Sequence, residues 1–351
     1  MKKMLSFIIP LGIVFFLAFY KLDYYIMKPG SAYDVSQFVT VEDGDQDDKG
    51  TLNLMTVAMG TATPLTYVIA HFREFEEIME LKDVRQEEED ETEYSIRQLK
   101  LMSDSQFNAL YVAFKKAGLP YTIEYNGVTV LNVLSKGAAD GQLLPGDNIV
   151  EIDGQLIEKA EDLSNILNSK KEHDEVKLVI NRNDELLDRT ISLKKIPGDE
   201  NHRVGIGISY SENKSIKTDP RVKVKAEDIG GPSAGLMFTL EILDQILDKD
   251  LTKGYNIAGT GEMNEDGTVG RIGGIEKKVV AANEDHIEIF FAPDDDITDA
   301  MLKVNPNVKS NYEAAVETAK KIGTNMEIVP VKTIDDALEY LEQLEPKEDV
   351  S

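Results

Sequence analysis

The sequence predicts an α+β protein with an apolar N-terminal helix, one mainly β segment, and a C-terminal half that mixes strands and helices. Stretches of alternating apolar and polar residues, typical of strands, occur among stretches of helical periodicity without a regular strand–helix–strand order. The first twenty residues contain a long uncharged run. Hydrophobic residues make up 42% of the 351 residues, enough for two or three domain cores.

The composition excludes several classes of protein. The formal net charge of -26 opposes binding to the phosphate backbone, so no nucleic-acid partner is expected. The chain has no cysteine and only 4 histidines, which excludes cysteine peptidases, disulfide frameworks and cysteine-based zinc sites. We therefore expect neither a metal nor a cofactor.

The N-terminal run predicts a transmembrane anchor over residues 1–25. Lys2 and Lys3 precede the uncharged residues 4–20, and tyrosines follow as in an interfacial belt. The alternatives are a cleaved signal peptide, which the large residues at 21–25 disfavour, and a buried core helix. With the lysines on the cytoplasmic side, the anchor predicts a single-pass cell-membrane protein whose bulk is extracytoplasmic.

Residues 26–119 form a segment that we expect to pack with the C-terminal domain. Alternation predicts strands at 38–42 and 51–59. Helical patterns cover 66–78 and 95–117, and the second ends at Gly118.

The pattern within residues 120–196 predicts a separate β domain. The segment contains the pattern G-x-L-x-x-G-D-x-I-x-x-I-x-G between Gly141 and Gly154, a short helix at 161–167 and two later strands. This order resembles the PDZ family. A PDZ module binds a peptide as an added strand beside a helix, so the resemblance implies a groove lined by four residues: Val128, Val130, Glu161 and Leu163. A purely structural β domain is the alternative.

Ser233 stands at the predicted start of a periodic helix. Pro232 suits the first helical turn, and the free N–H groups there, those of Gly231 and Ser233, could stabilise an oxyanion. The G-x-S-x-G spacing also describes an α/β-hydrolase elbow, but the expected Asp and His order is missing. A capping serine is the other alternative, so the assignment of a nucleophile depends on a base.

Lys278 is the candidate base, because no suitable histidine is present. On a helix that starts at Gly274, Lys278 shares the apolar face of Ile275, Val279 and Ala282. A free lysine has a pKa of about 10.4 and is protonated at neutral pH. Desolvation on an apolar face lowers that pKa.

The motifs GGPSAGL, TGE and GRIGGIEKK, in this order within residues 197–342, resemble the proteolytic domain of Lon-type serine proteases. The resemblance implies that Ser233 is the nucleophile, Lys278 the base and Thr260 a residue that orients the lysine. Asp228 lies five residues before the serine rather than the usual three and is carried over as a supporting residue. The resemblance also implies a homo-oligomeric ring, with six copies as the expected number.

The sequence thus predicts an ATP-independent, membrane-anchored serine endopeptidase with a Lon-like domain at 197–345. No phosphate-binding loop occurs in the sequence. Its expected partners are proteins or peptides with unstructured or exposed segments, from membrane or secreted proteins, selected by the PDZ-like domain. A catalytically inactive PDZ adaptor at the membrane and an acyl hydrolase are the alternatives.

Overall fold

The computed structural model describes residues 2–45, 49–86, 89–226, 229–247 and 249–347, with the backbone alone for residues 2–9. The chain divides into two compact units. The first unit comprises Met1–Glu87, Met102–Leu119 and Pro220–Ser351, and the second comprises Glu88–Leu101 and Pro120–Asp219. The α+β class predicted from the sequence is confirmed.

The helices are α1 (Lys2–Phe19), α2 (Pro64–Ala70), α3 (Leu81–Val84), α4 (Glu91–Ala117), α5 (Ala160–Asn168), α6 (Gly235–Leu247), α7 (Ile275–Glu284), α8 (Asp299–Val304), α9 (Asn311–Ile322) and α10 (Ile334–Gln343). The strands are β1 (Tyr24–Asp34), β2 (Val39–Val41), β3 (Thr51–Thr61), β4 (Glu77–Glu80), β5 (Tyr121–Val133), β6 (Asn148–Ile152), β7 (Gln155–Leu156), β8 (Glu175–Arg182), β9 (Glu185–Ser192), β10 (Lys194–Lys195), β11 (Val204–Gly205), β12 (Ile208–Thr218), β13 (Val222–Val224), β14 (Asn256–Gly259), β15 (Glu262–Met263), β16 (Val269–Gly270), β17 (Ile289–Pro293) and β18 (Glu327–Val331).

The first unit is built on a mixed sheet with the strand order β18-β17-β14-β3-β1-β4. The four strands from β18 to β3 are parallel, whereas β1 pairs antiparallel with both β3 and β4. The N-terminal segment therefore supplies three strands to the sheet that also carries the C-terminal half.

Helices α6 and α7 carry the candidate catalytic segments in this unit. Residues 235–245 of α6 are all buried, because the helix is apolar on most of its circumference. Helix α7 begins after Gly274, which has a φ of 70°. A Cβ there would lie 2.9 Å from Met27 Sδ and 3.0 Å from Val57 Cγ1, so the glycine allows α7 to approach β1 and β3 closely.

The predicted helix at 66–78 is only partly correct. Helix α2 ends at Ala70, and the following chain forms the edge strand β4, which pairs with β1 between Tyr24 and Met27. The pairing with a distant strand outweighs the helical propensity of this acidic stretch.

The second unit contains a sheet with the order β12-β5-β6-β8-β9, and β7 pairs with β6. Its core is a cluster of aliphatic side chains that includes Val128, Leu143, Ile152 and Leu163. Asp147 of the G-D pattern is 1% exposed and accepts two hydrogen bonds from Arg182, at 2.6 and 2.7 Å. A paired and fully hydrogen-bonded carboxylate of this kind fixes the turn that precedes β6.

The predicted transmembrane anchor is wrong. Within the described ranges, no helix is both long enough and apolar enough to cross a membrane. Helix α1 has 18 residues, among them Lys2 and Lys3, and reaches about 27 Å, short of the roughly 30 Å hydrocarbon core of a bilayer. The single-pass, extracytoplasmic location that depended on this anchor is corrected with it.

Candidate active site

Ser233 lies in the turn that leads into α6. The first helical residue is Gly235, so the serine stands two residues before the helix rather than within its first turn. Its carbonyl oxygen accepts hydrogen bonds from the N–H of Gly261, at 2.9 Å, and from Thr260 Oγ1, at 3.0 Å. The turn is thereby fixed to the segment that follows β14, and the serine side chain remains only half-buried.

Lys278 reaches Ser233 from the first turn of α7. Lys278 Nζ lies 2.6 Å from Ser233 Oγ. The lysine is 1% exposed, and no carboxylate pairs with it in the part of the chain that the structure describes. Burial lowers the pKa of Lys278 to about 7, because desolvation disfavours the charged ammonium. The amine can therefore accept a proton near neutral pH.

Thr260 connects these two residues. Thr260 Oγ1 lies 2.8 Å from Lys278 Nζ and donates its only hydroxyl hydrogen to the carbonyl of Ser233. The threonine oxygen must then accept from the lysine. One lysine hydrogen is directed at Thr260, which leaves the lone pair of the neutral amine available to Ser233.

The backbone groups predicted for an oxyanion site lie beside the serine. Gly231 is buried and has a φ of 88°. Among the described residues, neither the N–H of Gly231 nor that of Ser233 has a hydrogen-bond acceptor. Unpaired N–H groups at the start of a helix suit a developing negative charge.

Helix α4 contributes two contacts that the sequence analysis did not anticipate. Ser105, which is 2% exposed, donates its hydroxyl to the carbonyl of Pro232 at 3.0 Å. Asn108, one turn later, donates to the carbonyl of Met263 at 2.8 Å. Both residues are more than a hundred positions upstream of Ser233, and no local sequence pattern marks them.

Asp228, predicted as a supporting residue, lies outside the described residues. Lys277, the neighbour of Lys278 on α7, is 9% exposed and forms an ion pair with Glu77 of β4.

The predicted peptide-binding residues occupy different positions in the second unit. Val128, Val130 and Leu163 are each 0% exposed and belong to the core cluster. Strand β5, which carries both valines, is paired on one side with β12 and on the other with β6. The two valines therefore do not lie at an open sheet edge, whereas Glu161 is exposed on α5.

Two protein families match the chain. Residues 104–193 match the PDZ domain family. Residues 212–342 match the family described as the Lon protease (S16) C-terminal proteolytic domain. The second range contains Ser233, Thr260 and Lys278.

Individual relatives are similar over limited stretches. The Lon protease of Rickettsia bellii is 28% identical over 134 residues, 38% of this chain and 15% of the relative. The Lon protease of Campylobacter jejuni is 30% identical over 140 residues, 36% of this chain and 16% of the relative. The chain thus spans less than a fifth of the length of these relatives. The solved PDZ domain of an SdrC-like protein from Listeria monocytogenes is 34% identical, covers 24% of this chain and 88% of that domain, and has a TM-score of 0.23.

Proposed function

We propose that this chain, a Lon-like protein of the S16 type with a PDZ domain, is a serine endopeptidase that uses a Ser233–Lys278 dyad. The observation that carries the proposal is the 2.6 Å contact between Lys278 Nζ and Ser233 Oγ, made by a lysine whose burial lowers its pKa to about 7. A serine hydroxyl becomes a nucleophile only when a base accepts its proton. The inactive adaptor is disfavoured, because burying a lysine without a carboxylate partner is costly and an inert site has no use for it.

The first half of the reaction forms an acyl-enzyme. Ser233 Oγ attacks the carbonyl carbon of the scissile peptide bond while neutral Lys278 takes the hydroxyl proton. The π electrons of the carbonyl move onto its oxygen, where the N–H groups of Gly231 and Ser233 stabilise the negative charge. When the intermediate collapses, the C–N bond breaks, and the Lys278 ammonium returns the proton to the departing amine.

The second half releases the other product. Water attacks the ester carbonyl, Lys278 accepts a proton from the water, and Ser233 Oγ leaves and regains a proton from Lys278. Thr260 keeps the lysine aligned in both halves through its hydrogen bond to Nζ. None of these steps consumes ATP, so we propose that the peptidase chemistry of this chain is ATP-independent and directed at unstructured or exposed segments.

We propose that the PDZ domain selects these substrates, and that the groove lies at β12 rather than at β5. Strand β12 is the last strand in the sheet order of its unit, so a peptide could pair with it. Helix α5 lies against the same strand, since Ser164 Oγ is 2.7 Å from the Tyr210 hydroxyl and the N–H of Ala160 bonds to Glu212. A bound peptide would compete with these two contacts.

The test of the proposed activity is cleavage of an unstructured fluorogenic peptide by purified variants. We expect Ser233→Ala and Lys278→Ala each to lower kcat/KM by at least about 1,000-fold, and the double variant to be no worse, because the pair acts as a unit. Lys277→Ala is the matched control on the same helix and should retain most activity. Full activity in Ser233→Ala, or equal losses at Lys277 and Lys278, would reject the dyad.

A further inference from the structure

The carbonyl of the peptide bond between Pro232 and Ser233 accepts a hydrogen bond from one side chain among the described residues. That side chain is Ser105 of α4, whose hydroxyl lies 3.0 Å from the carbonyl oxygen of Pro232. The carbonyl also lies 3.4 Å from the N–H of Gly235, a longer contact within the turn itself. The Ser105 hydroxyl is therefore the shorter of the two hydrogen bonds that fix this carbonyl.

A trans peptide unit is planar, and its C=O and N–H point in opposite directions. A hydrogen bond that fixes the Pro232 carbonyl toward α4 consequently fixes the Ser233 N–H away from α4. That N–H has no acceptor among the described residues, and it belongs to the candidate nucleophile. Its direction decides whether it can reach the oxygen on which charge develops.

We infer that Ser105 is a positioning residue that aims the Ser233 N–H at the oxyanion of the tetrahedral intermediate. The inference rests on the proposed peptidase function. It assigns to α4, outside the 212–342 range that matches the proteolytic family, a role in transition-state stabilisation.

The surroundings of Ser105 leave its hydroxyl little freedom. Ser105 is 2% exposed, and a Cβ on Gly235 would lie 2.9 Å from Ser105 Oγ and 2.7 Å from the backbone N of Met263. Asn108, one turn further along α4, holds the carbonyl of that same Met263 at 2.8 Å. One face of α4 thus fixes the serine turn and the strand beside it at the same time.

Removing the Ser105 hydroxyl should affect kcat and KM differently, depending on whether it positions the Ser233 N–H or only supports the fold. If the Ser233 N–H no longer points at the oxyanion, the transition state is bound more weakly, but ground-state binding of the peptide is unchanged. Removing a whole oxyanion donor lowers kcat by about 100- to 1,000-fold in serine proteases. Since Ser105→Ala would only misdirect the N–H, we expect kcat to fall by about 10- to 100-fold with KM changed less than about twofold.

The experiment measures kcat, KM and inhibition by a peptide boronic acid, across about pH 6 to 10, for the full chain and three variants. A boronic acid forms a tetrahedral adduct on Ser233, so its affinity should fall in parallel with kcat in Ser105→Ala. The limb of the pH profile should stay in place, because Lys278 is untouched. Thr318→Ala is the matched control: Thr318 is 5% exposed and its hydroxyl donates to a backbone carbonyl on α9 at 2.9 Å, and its loss should leave kcat and inhibitor affinity unchanged.

Three results would overturn the inference: wild-type kcat in Ser105→Ala, a rise in KM as the main change, or a displaced pH limb, which would mean that Ser105 acts through Lys278. If Ser105→Ala does not fold, Ser105→Cys carries the test, because it keeps the size with a weaker donor. Its kcat should then lie below wild type at unchanged KM, and wild-type kcat would again reject the inference. Ser233→Ala, measured alongside, separates this failure from failure of the proposed function, since only the latter leaves that variant active.

Discussion

Burial of Lys278 links the proposed chemistry to the stability of the fold. The pKa of Lys278 falls from 10.5 to about 7 on folding, through desolvation. Between these two values the unfolded chain binds a proton that the folded chain does not, so the free energy of unfolding rises with pH across this window. Below the folded pKa the full desolvation penalty is present, and above the unfolded value of 10.5 it has disappeared.

Replacing Lys278 by Met should therefore stabilise the protein while abolishing its activity. Met keeps the length of the side chain without a charge to desolvate. We expect the free energy of unfolding to increase by a few kcal/mol, about 1.4 per unit of pKa shift, at pH 6. The gain should shrink as the pH rises above 7 and approach zero only above 10.5, the pKa of the unfolded lysine, as measured by urea denaturation. A gain that does not vary with pH, or a loss at pH 6, would contradict the proposed energetics.

Some residues of the proposed site have a signal in the sequence and others have none. Lys278 could be chosen over Lys277 from helical periodicity alone, since the apolar face of α7 is local information. Ser105 could not be found, because its contact with Pro232 joins segments separated by 127 positions. The pairing of β12 with the strand that carries Val128 and Val130 could not be predicted either, because β12 is likewise distant in sequence.

At the scale of elements, the start of α6 depends on close packing of Gly235 against β15 and α4. A Cβ on Gly235 would meet the backbone N of Met263 at 2.7 Å and Ser105 Oγ at 2.9 Å. Contacts below 3.0 Å with backbone cannot be relieved by rotating a side chain. The glycine is thus needed for the position of Ser233 rather than for chain flexibility.

Gly235→Ala should reduce kcat by at least about tenfold and destabilise the fold by about 1–3 kcal/mol, as overpacking does. The matched control is Gly273→Ala, in the segment that leads into α7, because no heavy atom of the described residues, the two chain neighbours aside, lies within 4 Å of a Cβ there. The two variants are compared by peptide cleavage and thermal unfolding. Equal behaviour of both would show that the close approach at α6 has no consequence.

The limits of sequence-based prediction at this scale have one physical cause. Helix α7 was predictable, because its pattern is set by burial along a single element. The predicted helix at 66–78 extends into the edge strand β4, whose structure comes from pairing with the distant strand β1. The predicted start of α6 at Pro232 was three residues too early, because a serine turn and a first helical turn look alike in sequence.

For the molecule as a whole, the second unit is built mainly from one segment whose ends meet. The N–H of Asp219 donates to the carbonyl of Pro120 at 3.3 Å, and Tyr121 pairs with Thr218 in the ladder of β5 and β12. A segment with adjacent ends can be exchanged for a short linker without stretching the flanking chain.

Replacing residues 121–218 by a short Gly/Ser linker tests whether peptide cleavage and substrate selection belong to different units. We expect cleavage of a short unstructured peptide to stay within about threefold of wild type, because the six-stranded mixed sheet and the two helices next to the proposed dyad, α6 and α7, belong to the other unit. Cleavage of a long unfolded protein should fall at least tenfold if the PDZ domain selects substrates, a loss of about 1.4 kcal/mol in binding. Equal retention of both activities would make that domain structural.

The dyad itself is tested most directly by the rate at which a fluorophosphonate labels the protein between about pH 5.5 and 9.5. The labelled residue, identified by mass spectrometry, should be Ser233. The rate should rise with pH and reach half its maximum near the pKa of Lys278, about 7, since only the neutral amine accepts the proton. The same profile is expected for His286→Gln, which removes the only histidine downstream of the serine, and no labelling for Lys278→Ala. Labelling that survives in Lys278→Ala, or disappears in a folded His286→Gln protein, would contradict a serine–lysine peptidase.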